Sequence, residues 1–305
     1  MQAAPIGIMA PAYFYPGPFW NSLSNAAKQV PLIAIMNPNN GPDTSQNSDY
    51  VAAVNGVRSA SGKVTGYVYT SYGARLLTQV ETDIDRYLTF YNVDGFFVDE
   101  MTNDSDTNHL NYYATLFQYI KAKDAKLSIT GNPGTNTREE YLARPATEAV
   151  VIFEDGTGYD SFTPSNWVTN HLARQFVHLA YNVTNASTMS NYVSLAVSRN
   201  VGWVYVTNDK LSNPWDTLPS YWTNEVNFIQ ALNQAAPPTH ISVTGITNQI
   251  PSLQISGAPG TYELQAAPNL SDWFPVQNVN MPTSPATLND FTASNTNLRF
   301  YRTRQ

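Results

Sequence analysis

Gly95-Phe96-Phe97-Val98-Asp99-Glu100 is the stretch on which the fold reading turns. Three apolar residues run on from a glycine without polar alternation and end on two adjacent carboxyls. An unbroken apolar run suits a parallel strand covered on both faces better than a half-solvated antiparallel one. The carboxyls then fall where such a strand meets its loop, the end at which parallel α/β folds carry their chemistry.

Seven similar runs flank this one, at 6–10, 32–36, 64–69, 127–130, 149–154, 175–180 and 201–206. Helical patterns fall between them at 20–29, 46–60, 76–91, 106–122 and 186–199, with a last one at 219–235. In 76–91 the apolar residues Leu76, Leu77, Val80, Ile84, Tyr87, Leu88 and Tyr91 recur at spacings of mostly three to four. Breaker clusters, Asn37-Pro38-Asn39-Asn40-Gly41-Pro42 and Gly131-Asn132-Pro133-Gly134, close the second and fifth runs. Eight such units predict a (β/α)8 TIM barrel over residues 1–236. An open doubly wound sheet is the alternative, but no Gly-x-Gly-x-x-Gly follows any strand, so a dinucleotide site is unsupported. After Pro237-Pro238 the pattern changes to short alternating strands at 252–256, 261–266, 274–279 and 298–303, separated by turn residues. Residues 237–305 are therefore expected to form a small all-β module, a β-sandwich.

Composition narrows the function. Of 305 residues only 13% are charged, and the net charge is −7. The tail carries three acids (Glu263, Asp272, Asp290) and three bases (Arg299, Arg302, Arg304), so the whole excess of acid sits on the barrel. A basic groove for nucleic acid is not expected. No apolar run reaches the roughly 18 residues of a membrane-spanning helix. The absence of cysteine excludes disulfides, thiolate metal sites and cysteine nucleophiles. Met1-Gln2-Ala3-Ala4-Pro5 lacks a basic or apolar leader. With 19 tyrosines, abundant asparagine and few lysines, the chain reads as a secreted protein carrying a starting Met in place of its signal peptide. A monomer is expected.

The polar residues at the strand ends are Tyr13 and Tyr15, Asn37, then Tyr69, Tyr72 and Arg75, followed by Asp99 and Glu100. Asn132, Glu154 and Asp155, Tyr181 and Asn182, Tyr205, and Asn208 and Asp209 complete the set. Two carboxyls across a cavity lined by aromatics and amides is the layout of a glycoside hydrolase: one protonates the leaving oxygen, the other attacks the anomeric carbon or activates water. Successive strand residues point to opposite sides. Asp99 and Glu154 facing the axis therefore form the favoured pair, with Glu100 turned away unless the chain bends there. Simpler readings stand beside this one. The Asp-Glu pair could cap the next helix, and Asp99, Glu100, Asp104 and Asp106 could hold Mg²⁺ or Ca²⁺, although they lack calcium-loop spacing. Neither a cofactor nor a metal is expected.

The segments Ala10-Pro11-Ala12-Tyr13-Phe14-Tyr15-Pro16, Asn37-Pro38-Asn39-Asn40-Gly41-Pro42, Gly66-Tyr67-Val68-Tyr69-Thr70-Ser71-Tyr72-Gly73-Ala74-Arg75 and Gly95-Phe96-Phe97-Val98-Asp99-Glu100 occur in this order. Together they resemble the spherulin-4 family, glycoside hydrolase family 135, over about residues 5–235. The resemblance implies a (β/α)8 barrel that hydrolyses α-1,4-linked, galactosamine-containing polysaccharides of microbial matrices. It places the family's acidic set on Asp99, Glu100 and Glu154. By analogy with related barrels, Asp99 would be the nucleophile and Glu154 the general acid/base of a retaining mechanism. The chain departs from the pattern in loop 2, where Asn40 and Asp43 stand in place of the family's frequent Ser or Gly. The acidic barrel would suit a partly deacetylated, cationic polymer. Substrate-binding roles are expected for Tyr13, Tyr15, Asn37, Tyr69, Tyr72, Arg75, Asn132, Tyr181, Tyr205 and Asn208. The alternatives are a non-catalytic carbohydrate-binding or matrix protein on the same barrel, and a metal-dependent lyase or aldolase. The tail resembles the small β-modules that end many secreted bacterial proteins, and its Trp273 is expected in a core rather than on a sugar platform.

Overall fold

The computed structural model describes residues 5–235, 239–257, 260–281, 284–293 and 299–304. Eight parallel strands close into a barrel in sequential order, β1 pairing with β8. They are β1 (Gly7–Ala12), β2 (Leu32–Met36), β3 (Lys63–Tyr69), β4 (Gly95–Asp99), β5 (Ser128–Gly131), β6 (Ala149–Asp155), β7 (Phe176–Ala180) and β8 (Trp203–Val206). Nearly every strand residue is buried, as the unbroken apolar runs require of strands filled inside and covered outside.

The helices around the barrel are α1 (Pro18–Ala27), α2 (Ser48–Ser59), α3 (Leu77–Phe90), α4 (Thr107–Lys123), the single turn α5 (Glu140–Ala143), α6 (Ala186–Ser198) and α7 (Trp222–Ala235). Local chemistry fixes where several begin. Asn47, Asp106 and Asn185 each accept a backbone N–H from the first turn of α2, α4 and α6, and Pro18 opens α1. Helix α3 buries Val80, Ile84 and Tyr87. The Tyr87 ring lies against Gly66 of β3, where a Cβ would come within 2.8 Å of it; only glycine allows that approach. Between β6 and β7 three short 3-10 turns replace a helix.

One irregularity positions the site. The β6–β7 register runs Val151↔Val177, then Phe153↔His178 and Glu154↔Leu179, leaving Ile152 as an extra residue. Val177 and Leu179 are two apart and face the same side, so their partners Val151 and Glu154 do too, although those are three apart. Regular alternation from Val151 would turn Glu154 away from the axis. The bulge turns it inward and leaves Phe153 outside, packed edge-on against Tyr159, Phe162 and His178.

The C-terminal region is all-β. One antiparallel sheet has the order β13-β10-β9 and the other β12-β11-β14. Their strands are β9 (His240–Thr247), β10 (Ile250–Ser256), β11 (Gly260–Ala267), β12 (Phe274–Met281), β13 (Ala286–Asn289) and β14 (Phe300–Arg304). Leu253 and Ile255 from one sheet share a core with Tyr262, Leu264, Val279 and Met281 from the other. Strands β9 and β13 go beyond the four read from the sequence. β9 is a largely exposed edge strand and β13 has four residues, so neither carries a full apolar alternation. Pro237-Pro238 and the expected start of the last strand at 298 lie outside the described residues. Trp273 lies under the Arg302 guanidinium, 4.3 Å from the ring centre. The module touches the barrel where Thr261 and Asn280 side chains donate to the Thr169 carbonyl, each at 3.3 Å.

Glu225 on α7 is fully buried, and its Oε1 accepts the Val206 N–H at 3.0 Å, beyond the last β1–β8 pair. Burial pushes its carboxyl up to about 8. The unfolded chain ionises this group near its ordinary value, so its stabilising contribution is complete below about pH 4.5 and is lost as pH rises through 8. Glu225→Gln keeps the acceptor and removes the titration. Its melting temperature is expected to fall less between pH 5 and pH 8 than that of the parent; equal slopes would contradict this account of Glu225.

Candidate active site

Asp99 ends β4, Asn132 directly follows β5 and Glu154 lies near the end of β6. The Asn132 backbone is tied to the β4 end on both sides: its N–H donates to Val98 at 2.7 Å and its carbonyl accepts from Met101 at 3.0 Å. Its side chain is thereby fixed between the two acids. Nδ2 donates one hydrogen to Asp99 Oδ1 at 2.7 Å and the other to Glu154 Oε2 at 2.6 Å. Two oxygens bonded to one nitrogen lie no farther apart than the sum of those bonds, about 5.3 Å. The remaining Asp99 oxygen accepts the Tyr67 hydroxyl at 2.8 Å, and the Tyr67 ring is held edge-on by Tyr13 at 5.4 Å.

The surroundings push the two carboxyls unequally. Glu154 is raised to about 7, first by loss of water and then by the charge of Asp99, against hydrogen bonds from Asn132 and the Trp215 side chain. Burial also raises Asp99, but hydrogen bonds from Tyr67, the Glu100 backbone and Asn132 oppose it. Two carboxyls this close titrate as a pair. More donors hold the charged form of Asp99 than that of Glu154.

Glu100 does not follow the strand. Its φ is +52°, and its carbonyl accepts the Tyr72 N–H at 2.7 Å and the Thr70 hydroxyl at 2.8 Å. The chain therefore bends immediately after Asp99, and Glu100 lines the same cavity as Asp99 and Glu154. That cavity measures about 480 Å³ and opens at the C-terminal ends of the strands.

Of the residues singled out in the sequence, Tyr13, Tyr72, Asn132 and Tyr181 line this cavity with the three acids. Six others are engaged elsewhere. The Tyr15 hydroxyl donates to Asp49 at 2.6 Å. Asn37 accepts the Gly41 N–H inside its own loop. Arg75 stacks on Tyr69, 4.1 Å from the ring centre, and pairs with Asp83 at 2.6 Å. Tyr205 is buried against Trp215 and Trp222, and Asn208 accepts the Ser220 N–H at 2.6 Å. A place at a strand end does not by itself aim a side chain at the axis. Tyr67 and Trp215 are not among the site residues expected from the sequence. Tyr67 was findable, because it pairs in register with Phe97, two residues before Asp99 on the same face. Trp215 lies nine residues beyond β8, where strand alternation carries no information; its loop, with Leu211 and Asn213, forms part of the cavity wall.

The sequence profile of spherulation-specific family 4 matches residues 7–229. Spherulin-4 of Physarum polycephalum is 35% identical over 245 residues, which cover 76% of this chain and 72% of the relative. The chain belongs to the spherulin-4 family. Among solved structures, the spherulin-4 barrel described here is similar to that of Sph3 from Aspergillus clavatus, solved in complex with GalNAc. The TM-score is 0.63 at 20% identity, with 75% of this chain and 100% of Sph3 covered. A chitinase from Bacteroides thetaiotaomicron superimposes with a TM-score of 0.50 at 10% identity, covering 74% of this chain and 96% of the chitinase. These likenesses show a fold shared with glycoside hydrolases. Among the described residues no helix is long and apolar enough to cross a membrane.

Tyr67→Phe removes the hydroxyl that holds the charged form of Asp99. The Asp99 pKa is expected to rise further, because a hydrogen bond to its charged form is lost. A carboxyl-carbon NMR titration checks this, and an unchanged Asp99 would contradict the assigned role of Tyr67.

Proposed function

We propose that this protein is a secreted, endo-acting and retaining glycoside hydrolase. Its substrate is an α-1,4-linked polysaccharide containing N-acetylgalactosamine or galactosamine. The observation that carries the reading is the pair Asp99 and Glu154, held by one amide with their nearest oxygens within about 5.3 Å. Retaining glycosidases keep their carboxyls about 5–5.5 Å apart, whereas inverting ones leave roughly 6.5–9.5 Å for a water. Membership of the spherulin-4 family and the sugar in the Sph3 complex support the substrate class. The low charge and the excess of tyrosine support an extracellular setting.

In the proposed reaction Glu154 gives its proton to the glycosidic oxygen as the bond to the anomeric carbon breaks. Asp99 attacks that carbon and forms a glycosyl ester. Glu154, now a carboxylate, takes a proton from water; the water oxygen displaces Asp99, and both groups return to their starting states. The Tyr67 hydroxyl and the Asn132 amide hold Asp99 in line. The aromatic walls, Tyr13, Tyr72, Tyr181 and Trp215, offer faces for the sugar C–H surfaces.

The test is incubation with a panel of galactosamine-containing and other α-linked polysaccharides, with product masses measured. Shortened α-linked galactosamine oligomers are expected. Asp99→Ala and Glu154→Ala should each lower the rate by several orders of magnitude (about 10³-fold or more) without changing the circular dichroism spectrum. Oligosaccharide binding with no new chain ends would favour the non-catalytic alternative.

The pH profile gives a second check. Glu154 must be protonated and Asp99 ionised, so kcat/KM should fall above about pH 7 as Glu154 loses its proton. It should also fall at low pH, with a limb above the usual aspartate range because burial raises Asp99. A profile flat from pH 6 to 9 would contradict Glu154 as the acid.

A further inference from the structure

We propose that Tyr72 is the platform for the sugar unit next to the one being cleaved, on the side away from the leaving group. This rests on the reading of the cavity as the site of a polysaccharide hydrolase, and it divides the cleft into two unlike halves.

The mouth of the cavity carries two large apolar side chains that stay open to solvent. Tyr72 is 62% exposed and Leu211 is 69% exposed, yet both line the cavity. They come from different loops, Tyr72 from the one after β3 and Leu211 from the one after β8. A ring left in water at the rim of a sugar cavity offers its face to the part of the polymer that the cavity does not enclose.

The backbone holds Tyr72 in this place against its own preference. Ser71, Tyr72 and Gly73 have φ of +46°, +54° and +81°. Left-handed backbone suits glycine and is uncommon for a bulky residue. It persists where the surroundings impose it, and such positions gather at ligand sites. Here the end of β4 imposes it. The Tyr72 N–H donates to the Glu100 carbonyl at 2.7 Å, and both the N–H and the hydroxyl of Thr70 donate to the Asp99 carbonyl at 3.0 Å. The N–H groups of Gly73 and Arg75 close the turn on the Thr70 carbonyl, at 3.1 and 3.0 Å. The anchor of the ring is thus fixed relative to Asp99. A platform already in place binds a sugar without first being ordered.

The two acids give the direction. The proton donor of a glycosidase faces the leaving oxygen. Glu154 is that donor in the proposed reaction, and Trp215, whose side chain bonds to it, belongs to the same loop as Leu211. Tyr72 stands on the loop fastened beside Asp99 instead. The leaving part of the polymer therefore runs toward Leu211, and the retained part runs over Tyr72.

The experiment uses nitrophenyl α-glycosides of one and of two α-1,4-linked N-acetylgalactosamine units. The leaving group is then constant and only the retained side grows. The parent is expected to show a kcat/KM about tenfold or more higher on the two-unit glycoside. Tyr72→Ala should lose most of that gain. Tyr72→Phe should keep it, because the ring face and not the hydroxyl makes the contact, and Leu211→Ala should keep it too. Equal losses on both glycosides in Tyr72→Ala would overturn the proposal, as would a gain that survives in Tyr72→Ala or one that Leu211→Ala removes as well. If neither glycoside is cut, the hydrolase reading fails on its own, and binding of N-acetylgalactosamine and its α-1,4-linked disaccharide is followed by NMR. Tighter binding of the disaccharide that Tyr72→Ala abolishes would then still support the platform, and equal binding of the two sugars by the parent would overturn it.

Discussion

The amide of Asn132, shared between Asp99 and Glu154, is the interaction on which the rest of the site depends. Two carboxyls in a desolvated cavity repel, and each costs less to bury when neutral. One donor with two hydrogens lets them stand close without a cation between them. The additional donors are uneven: Tyr67 and a backbone N–H favour Asp99, while Glu154 has the Trp215 side chain. That unevenness favours the charged form of Asp99 over that of Glu154. The barrel supplies the precision, because β4, β5 and β6 are neighbours in one closed sheet and each carries one member of the trio at or just beyond its end.

The barrel was legible because parallel strands covered on both faces must be apolar throughout. Runs such as Leu32–Met36 and Gly95–Asp99 have few other uses in a chain of this length. The acids were legible because carboxyls are scarce here and two of them end a strand. What the sequence could not show was direction. Glu154 faces the axis only because Ile152 is an extra residue in β6, and a bulge leaves no mark on a run of Val, Ile and Phe. Glu100 reaches the cavity through a left-handed backbone that hydrogen bonds from Tyr72 and Thr70 hold in place, and those partners lie some thirty residues upstream. Tyr69 and Arg75 appear in a promising motif yet satisfy each other and Asp83. Trp215 comes from a loop whose path no periodicity describes.

The C-terminal sheets obey a different rule. Their strands are short, half-exposed and antiparallel, so alternation is the only signal, and it fades on edge strands such as β9. Thr261 and Asn280 fasten this module to the Thr169 carbonyl, in the region between β6 and β7. The cavity lies at the strand ends instead, and none of its lining residues comes from the module.

The stereochemistry of hydrolysis tests the central claim most directly. With the paired oxygens within about 5.3 Å, the account has Asp99 bond to the anomeric carbon and requires two inversions, hence net retention. Proton NMR of the first-formed reducing ends, recorded before mutarotation, should show the α-anomer from an α-linked substrate. A first-formed β-anomer would mean that water attacks directly and would contradict the assignment of Asp99 as nucleophile.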